Sequence, residues 1–254
     1  MDWWNYMLNN LDFSYSSYRL LLQTLLTHGY EPRLIGETTT ENEKVLYLRH
    51  DVDVDYLGVL PMAKIEHSLG IKSTWYFLPD CPIYNLCSSK LKNILLILHE
   101  QGHQIGLHVD ATLYSNLEQM IETINVQYNF FSSFLPICRI LSFHRPASWL
   151  LDDVIVPNWV NAYQREFFAD VVYVSDSNRR EFWKETRLPM AIEEEKSLTL
   201  LTHPLWWKKQ SLQPDALFHT ACSVIGFDRT AAHLSETSKI YSYAMKTEGS
   251  EHVD

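Results

Sequence analysis

The stretch VLYLRHDVDVD, residues 45–55, runs from four apolar residues into three aspartates that alternate with valines. Its first half, VLYL, has the apolar, β-branched and aromatic character of a buried strand. Side chains two positions apart on a strand point to the same face, so Asp51 and Asp53 share a face, and Asp55 joins them if the strand continues. Carboxylates packed this closely repel one another and lose hydration when they are buried. The stretch therefore predicts a compensating partner: open water, a cation or a shared proton.

Strand-like and helix-like segments alternate along the rest of the chain. Apolar positions at helical spacing predict helices over 14–29, 56–70, 89–102 and 116–134. Short apolar runs predict strands over 45–48, 72–79, 103–110, 138–146, 171–177 and 198–204. This order predicts an α/β fold with a mainly parallel sheet, either a barrel or a doubly wound sheet. Because no linker or internal repeat divides the chain, we expect one domain over residues 1–254, with a loosely held polar stretch at 236–254.

The bulk composition limits the classes of function. The chain has 254 residues, of which 46% are hydrophobic, and a net charge of −10, whereas nonspecific nucleic-acid binding needs a basic surface. Its longest apolar stretches fall short of the roughly 20 residues of a membrane-spanning helix, and its N-terminus lacks the features of a signal peptide. The four cysteines form no CxxC motif. We therefore expect a cytoplasmic protein with reduced thiols, no transmembrane segment and no nucleic-acid partner, and the composition predicts no particular oligomeric state.

Polar side chains with catalytic or metal-binding chemistry close most of the predicted strands. They are Asp51, Asp53, His108, Asp110, His144, Arg145, Asp176 and His203. In a parallel α/β barrel the carboxyl ends of the strands share one face, and active sites lie on that face. The sequence therefore predicts that these side chains are neighbours in space.

A cluster of aspartates and histidines is typical of a zinc site that keeps an open position for water. A bound metal lowers the pKa of its water and polarises a carbonyl group, and a carboxylate that is not a ligand can act as the general base. Alternatively, the aspartates line a solvated loop or cap the next helix, an interpretation that suits Asp55 best. His50 alternates away from Asp51, so we expect it to pack or to orient a neighbour. His103 begins its strand at the end opposite the expected site.

Four short motifs together resemble a known family. RHDVD (49–53), GHQIGLHVD (102–110), SFHRP (142–146) and LLTHP (200–204), in this order, resemble the polysaccharide deacetylase superfamily, also called carbohydrate esterase family four. The similarity is greatest to its cytosolic branch with RHDVD, GLH and FHRP signatures, which is associated with bacterial surface-glycan synthesis. The motifs span about residues 45–207.

The resemblance implies a single-domain, distorted (β/α) barrel of about seven strands. It implies a metal-dependent amide hydrolase, with zinc as the expected metal, that removes an N-acyl group, usually acetyl, from a sugar in the synthesis of an O-antigen-like surface polysaccharide. By position, Asp51 resembles the general base, Asp53 and His108 resemble metal ligands, and His203 resembles the general acid that protonates the leaving amine.

This chain departs from the family pattern at one ligand position. The family places a second histidine four residues after the first, where this chain has Thr112. We expect His144 to replace it as the third ligand, because His144 also ends a strand on the same face. Asp110 is the alternative ligand and otherwise a candidate substrate contact.

The resemblance also suggests supporting roles for five other residues. Arg145 matches an arginine that typically pairs with the catalytic aspartate, and Asp176 is expected to orient or charge the acid histidine. Trp183 is a candidate wall of the pocket. Trp206 and Trp207 either stack on a sugar ring or pack in the core, and the sequence leaves both possibilities open.

Two other functions remain compatible with the sequence. The first is a non-catalytic relative that binds a glycan or nucleotide-sugar, which the threonine at position 112 favours and the presence of both Asp51 and His203 opposes. The second is a hydrolase of another carbon–nitrogen bond, such as a deformylase of a lipid-linked amino sugar or an enzyme that opens a cyclic ureide.

Overall fold

Strands and helices follow one another along the chain. The computed structural model describes residues 10–37, 43–145, 155–179, 186–226 and 234. The strands are β1 (Glu31–Arg33), β2 (Val45–Val52), β3 (Thr74–Phe77), β4 (Gln104–Asp110), β5 (Ile140–Arg145), β6 (Val160–Asn161), β7 (Val172–Ser175) and β8 (Leu198–Thr202). The helices are α1 (Tyr15–Thr27), α2 (Val59–Ser68), α3 (Ser89–Glu100), α4 (Leu117–Ser132), α5 (Arg165–Phe168), α6 (Leu188–Glu193) and α7 (Pro214–Ile225). The polar stretch 236–254 and Trp183 lie outside the described residues.

The strands form one parallel sheet. Seven of them are ordered β6-β5-β4-β3-β2-β8-β7, and β1 pairs with the first residues of β2. Every strand pair between described residues is parallel, and none of these pairs joins β6 to β7. The sheet is therefore a half-barrel within a single α/β unit. This confirms the predicted α/β fold and its barrel-type sheet, which has eight strands where about seven were expected.

Strand β2 is buried along its whole length, as expected for a parallel strand that is covered on both faces. Its even-numbered side chains, such as Leu46 and Leu48, belong to the main hydrophobic core with the helices. The odd-numbered Val45 and Tyr47 pack in a separate cluster with Phe167 inside the half-barrel. Alternation along β2 therefore directs Asp51 to the inside of the half-barrel and His50 to the helical layer.

Helix α1 shows why the helices pack on the outer face of the sheet. Ser14 accepts a hydrogen bond from the backbone N–H of Ser17 and caps the first turn. Buried residues such as Leu21 and Leu25 recur at helical spacing and join the main core. The chain then leaves the helix through Gly29, whose φ of +80° is readily adopted only by glycine.

A buried polar cluster lies in the helical layer behind β2. His50 contacts Thr202 Oγ1 through Nδ1 at 2.7 Å and Glu66 Oε1 through Nε2 at 3.1 Å, and its ring stacks on Trp75. Glu66 also accepts hydrogen bonds from Tyr18 at 2.7 Å and from Ser73 at 2.5 Å. The predicted packing or orienting role of His50 is thus confirmed. His103 lies 3.7 Å from the second oxygen of Glu66, in the same layer.

Two further expectations concern membranes and cysteines. Among the described residues, we find no helix that combines the length and the hydrophobicity needed to cross a membrane. Cys81, Cys87, Cys138 and Cys222 are all free thiols.

The buried Glu66 gives the stability of the fold a dependence on pH. Burial would raise the pKa of Glu66, but His50, His103 and Ser73 more than offset burial, so the pKa lies below the usual 4.5. A carboxyl group with a lowered folded-state pKa stabilises the fold above its unfolded-state pKa, and this stabilisation is lost as the pH falls through the folded-state value.

We therefore expect Glu66→Gln to lower the free energy of unfolding by about 3 kcal/mol at neutral pH. The difference from the wild type should shrink as the pH is lowered below 4.5, because wild-type Glu66 then also becomes neutral. Urea unfolding at several pH values measures this difference, with the exposed Glu100→Gln as the control. A difference that stays constant with pH would contradict the prediction.

Candidate metal centre

Three side chains converge at the carboxyl edge of the sheet, from β4, β5 and the end of β2. Asp53 directly follows β2, His108 lies on β4 and His144 lies on β5. Asp53 Oδ1 is 3.1 Å from His108 Nε2 and 3.0 Å from His144 Nδ1. One ligand atom from each residue lies within 4.8 Å of the other two. The sheet therefore brings together one carboxylate oxygen and two imidazole nitrogens.

This donor set fits a divalent metal. Zinc binds such ligands at about 2.0–2.2 Å, which places the ligand atoms of a tetrahedral site about 3.3 Å apart. Asp53 Oδ1 is buried, and neither ring nitrogen meets it with hydrogen-bond geometry among the described residues. Burial would raise the pKa of Asp53, but His144 and His108 hold it well below its usual value, so the carboxylate is ionised. Asp53, His108 and His144 can therefore hold a metal ion.

Asp51 lies beside this centre and has its own buried cation. Its Oδ2 accepts a hydrogen bond from Arg49 Nη2 at 3.0 Å and lies 3.8 Å from His108 Nε2. Ser142 Oγ is 3.3 Å from both carboxylate oxygens. Burial would raise the pKa of Asp51, but Arg49 and His108 lower it, so Asp51 is ionised as well. The guanidinium of Arg49 lies over the ring of Tyr163, 4.9 Å from its centroid.

The expected pairing of Arg145 with the catalytic aspartate is wrong. Arg145 Nε donates to Asp110 Oδ2 at 2.9 Å, and its Nη2 contacts the same oxygen. The physical reason is the alternation along β5, which turns His144 toward Asp53 and Arg145 away from it. A register shift between β4 and β5 also places Asp110 opposite Arg145. Arg49, two positions before Asp51 and on the same face of β2, could have been found from the two-residue spacing alone.

His203 is held on the other side of Asp53 by Asp176. The Nδ1 atom of His203 is 2.5 Å from Asp176 Oδ1, and its backbone N–H donates to Asp176 Oδ2 at 3.0 Å. Burial would lower the pKa of His203, but Asp176 raises it to about 9, so the imidazole is protonated at neutral pH. The expectation that Asp176 orients and charges His203 agrees with these contacts. His203 Nε2 lies 3.8 Å from Asp53 Oδ2.

The two neighbouring tryptophans differ in their environment. Trp207 is fully buried against Phe13 and Tyr18 and donates a hydrogen bond from Nε1 to Asp176 Oδ2 at 2.9 Å. Of the two roles left open for Trp207, stacking on a sugar is wrong and packing in the core is correct, because no face of its ring is accessible. Trp206 is also largely buried but lines the cavity at the site.

Asp55 and Asp110 lie outside the converging ligand set. Strand β2 ends at Val52, so Asp55 does not share its face; it accepts backbone N–H groups of Leu57 and Gly58 in the loop before α2. Asp110 is occupied by Arg145 and by Thr112, whose Oγ1 donates to it at 2.7 Å. Of the two alternatives for a third ligand, the geometry favours His144.

The converging residues face a common cavity of about 240 Å³, which we call the central cavity. Asp51, Asp53, His108, His144 and His203 all contribute to its wall. Tyr163 and Tyr173 also line it, and sequence reasoning missed both. Tyr173 was detectable in principle, because it belongs to a predicted strand, whereas Tyr163 follows a strand of two residues that has no periodicity.

The chain shows limited similarity to known proteins. No family model and no curated protein matches the chain. One similar solved structure is a mutant of a CE4 family pseudoenzyme with restored enzymatic activity, at 11% identity and a TM-score of 0.41, covering 82% of this chain and 69% of that one. Another is a peptidoglycan N-acetylglucosamine deacetylase in complex with 4-naphthalen-1-yl-N-oxidanyl-benzamide, at 16% identity and a TM-score of 0.41, covering 84% and 89%. Both likenesses are partial.

Stability measurements can test whether Arg49, rather than Arg145, is the partner of Asp51. We expect Arg49→Met to lower the free energy of unfolding by about 3 kcal/mol, because it leaves the buried Asp51 carboxylate without its cation. Arg145→Met is the matched control, and we expect it to cost about 1 kcal/mol, because its pair with Asp110 is partly exposed. Urea unfolding of both variants at neutral pH gives the two values, and equal losses would show that Arg49 does not hold Asp51.

Proposed function

We propose that this protein is a metal-dependent amide hydrolase that removes an N-acyl group from an amino sugar. The observation that carries the proposal is the arrangement around Asp53: a ligand set with two histidines, the ionised Asp51 on one side and the protonated His203 on the other, all facing the central cavity. Asp53, His108 and His144 would hold the metal, for which we propose zinc, and the metal would supply polarisation of the amide carbonyl and would lower the pKa of water.

Asp51 is the general base in this proposal. Its carboxylate is ionised, reaches the central cavity and is fixed by Arg49 and Ser142. It accepts a proton from the water whose oxygen attacks the amide carbon. Arg49 acts on this step as a positioning residue, because it contacts the base and does not line the cavity.

His203 is the general acid. As the carbon–nitrogen bond breaks, its Nε2–H gives a proton to the departing nitrogen, so that water and amide become a carboxylic acid and an amine. Asp176 keeps the ring in place from the opposite nitrogen, and the Trp207 indole holds Asp176. The side chains of Tyr163, Tyr173 and Trp206 then form the wall against which the sugar lies.

We further propose that the natural substrate is an intermediate of bacterial surface-polysaccharide synthesis of the O-antigen or lipopolysaccharide kind, handled in the cytoplasm by a single domain of 254 residues. The resemblance of the four ordered motifs to the cytosolic deacetylase branch supports this setting. A non-catalytic glycan-binding role was suggested by Thr112, but the cluster obtains its second imidazole from His144 instead. We therefore propose that His144 takes the place of the family's second histidine.

Metal content tests the ligand set directly. We expect purified wild-type protein supplied with zinc to bind about one equivalent, and His144→Ala to bind it far more weakly, because only one aspartate and one histidine remain. The matched control is His99→Ala, an exposed histidine on α3, which should keep the wild-type metal content. Elemental analysis after desalting gives the ratio. A wild type that holds no zinc would sink the hydrolase proposal and leave the glycan-binding alternative.

The acid role of His203 predicts a loss of turnover without a loss of metal. We expect His203→Gln to reduce kcat for an N-acyl amino sugar by about 100-fold or more while zinc remains bound. Asp176→Asn should reduce kcat by a smaller factor, since it acts only through His203. The exposed His67→Gln serves as the control. Release of the free amine measures turnover, and full activity of His203→Gln would remove His203 from the mechanism.

A further inference from the structure

A second cavity meets the central cavity at the candidate metal centre. It has a volume of about 220 Å³, and we call it the distal cavity. Its wall includes the same two histidines, His108 and His144, and the hydrophobic side chains of Leu78, Val109 and Leu113. Asp51, Asp53 and His203 line only the central cavity. The histidine pair therefore separates two compartments of similar size and different chemistry.

The position of the acid determines which half of the substrate occupies each compartment. His203 must reach the amide nitrogen, so the nitrogen and its sugar lie in the central cavity. The acyl group is bonded to the other side of the amide carbon and points away from His203. Beyond the His108–His144 pair, that direction leads to the distal cavity.

The distal cavity suits a hydrocarbon chain. Among the described residues of its wall, Arg145 pairs with Asp110, and Asp80 accepts a hydrogen bond from Gln127 Nε2 at 2.6 Å. Its remaining wall is largely apolar, and burial of hydrocarbon against such a wall is favourable. A single methyl group displaces about as much volume as one water molecule, about 30 Å³, and would leave most of the cavity unfilled.

We propose that the distal cavity is the acyl-binding subsite and that the natural substrate carries an acyl group longer than acetyl, of about four to six carbon atoms. This inference rests on the proposed hydrolase function, since it is the leaving nitrogen that orients the substrate. It makes Leu113, which is 59% exposed at the mouth of the cavity, a determinant of acyl specificity.

The test compares N-acetyl-, N-butyryl- and N-hexanoylglucosamine as substrates of the zinc-loaded protein. Each buried methylene is worth about fourfold and butyryl has two more than acetyl, so we expect kcat/KM to rise roughly fifteenfold from the acetyl to the butyryl compound. Dissociation constants of the same three compounds for metal-stripped wild-type protein, measured by calorimetry, give a readout that does not depend on turnover. They should fall in the same order.

Two leucine-to-tryptophan variants show whether the preference arises in the distal cavity. Leu113→Trp brings a larger side chain to the cavity, and we expect the butyryl-to-acetyl ratio to fall close to one. Leu96→Trp, a partly exposed position on α3 that does not line the cavity, should keep the wild-type ratio. Both leucine side chains are exposed, so we expect both variants to fold.

The outcomes separate this inference from the proposed function. If the acetyl compound is hydrolysed as well as the longer ones and binds equally well, the acyl subsite is overturned while the hydrolase function stands. If none of the compounds is hydrolysed, the hydrolase function fails, and the affinities for the metal-stripped protein then decide the inference. Chain-length dependence that Leu113→Trp abolishes supports an acyl-binding distal cavity, and affinities independent of chain length overturn it.

Discussion

The burial of β2 on both faces is the constraint on which the rest of the site depends. A parallel strand in the middle of a sheet must satisfy two environments with one alternating sequence. In this chain the inner face carries Arg49 and Asp51, and the outer face carries Leu48 and His50. The arginine and the aspartate compensate each other inside the half-barrel, where neither charge is solvated. Asp53 then follows the strand at its carboxyl edge, where β4 and β5, on the far side of β3, place His108 and His144.

The charges at the carboxyl edge are arranged as alternating signs. Arg49 lies against Asp51, the imidazoles of β4 and β5 lie against Asp53, and His203 lies between Asp53 and Asp176. Each buried carboxylate therefore has a cation or a ring nitrogen of its own, and these partners hold the pKa values of Asp51 and Asp53 below their usual value. The three closely spaced aspartates therefore have different partners. Asp51 has Arg49, Asp53 has the two histidines, and Asp55 pairs with Lys208 away from the site.

Sequence reasoning recovered the parts of the fold that carry a long periodic signal. Strands β2, β4 and β8 and helices α1 to α4 agree with their predicted positions to within a few residues. Strands β1 and β6, of three and two residues, and the four-residue helix α5 are too short for any hydrophobic period, and they were missed. Helices α6 and α7 were missed as well, although α7 has 12 residues.

The residues of the site divide in a similar way. Side chains on strands, such as His108 and His144, were predicted because alternation and strand direction determine where they point. The arginine partner was misassigned because a motif match was preferred to the same-face spacing of Arg49. Whether Trp206 or Trp207 faces the cavity depends on the packing of a loop against α1, which no local pattern in the sequence reports. The two neighbouring tryptophans are chemically identical, and only their tertiary contacts give them different environments.

The hydrogen bond between His50 and Thr202 has a consequence for how the molecule can evolve. His50 directly precedes Asp51, and Thr202 directly precedes His203. The contact of His50 with Thr202 in the helical layer therefore helps to set the distance between Asp51 and His203, which line the central cavity. Amino-acid exchanges among the helices that disturb Glu66 or Trp75 would shift the proposed base relative to the proposed acid without touching either. The outer layer directly behind these two strands is therefore constrained by the groups on the inner face of the sheet, although it does not line the central cavity.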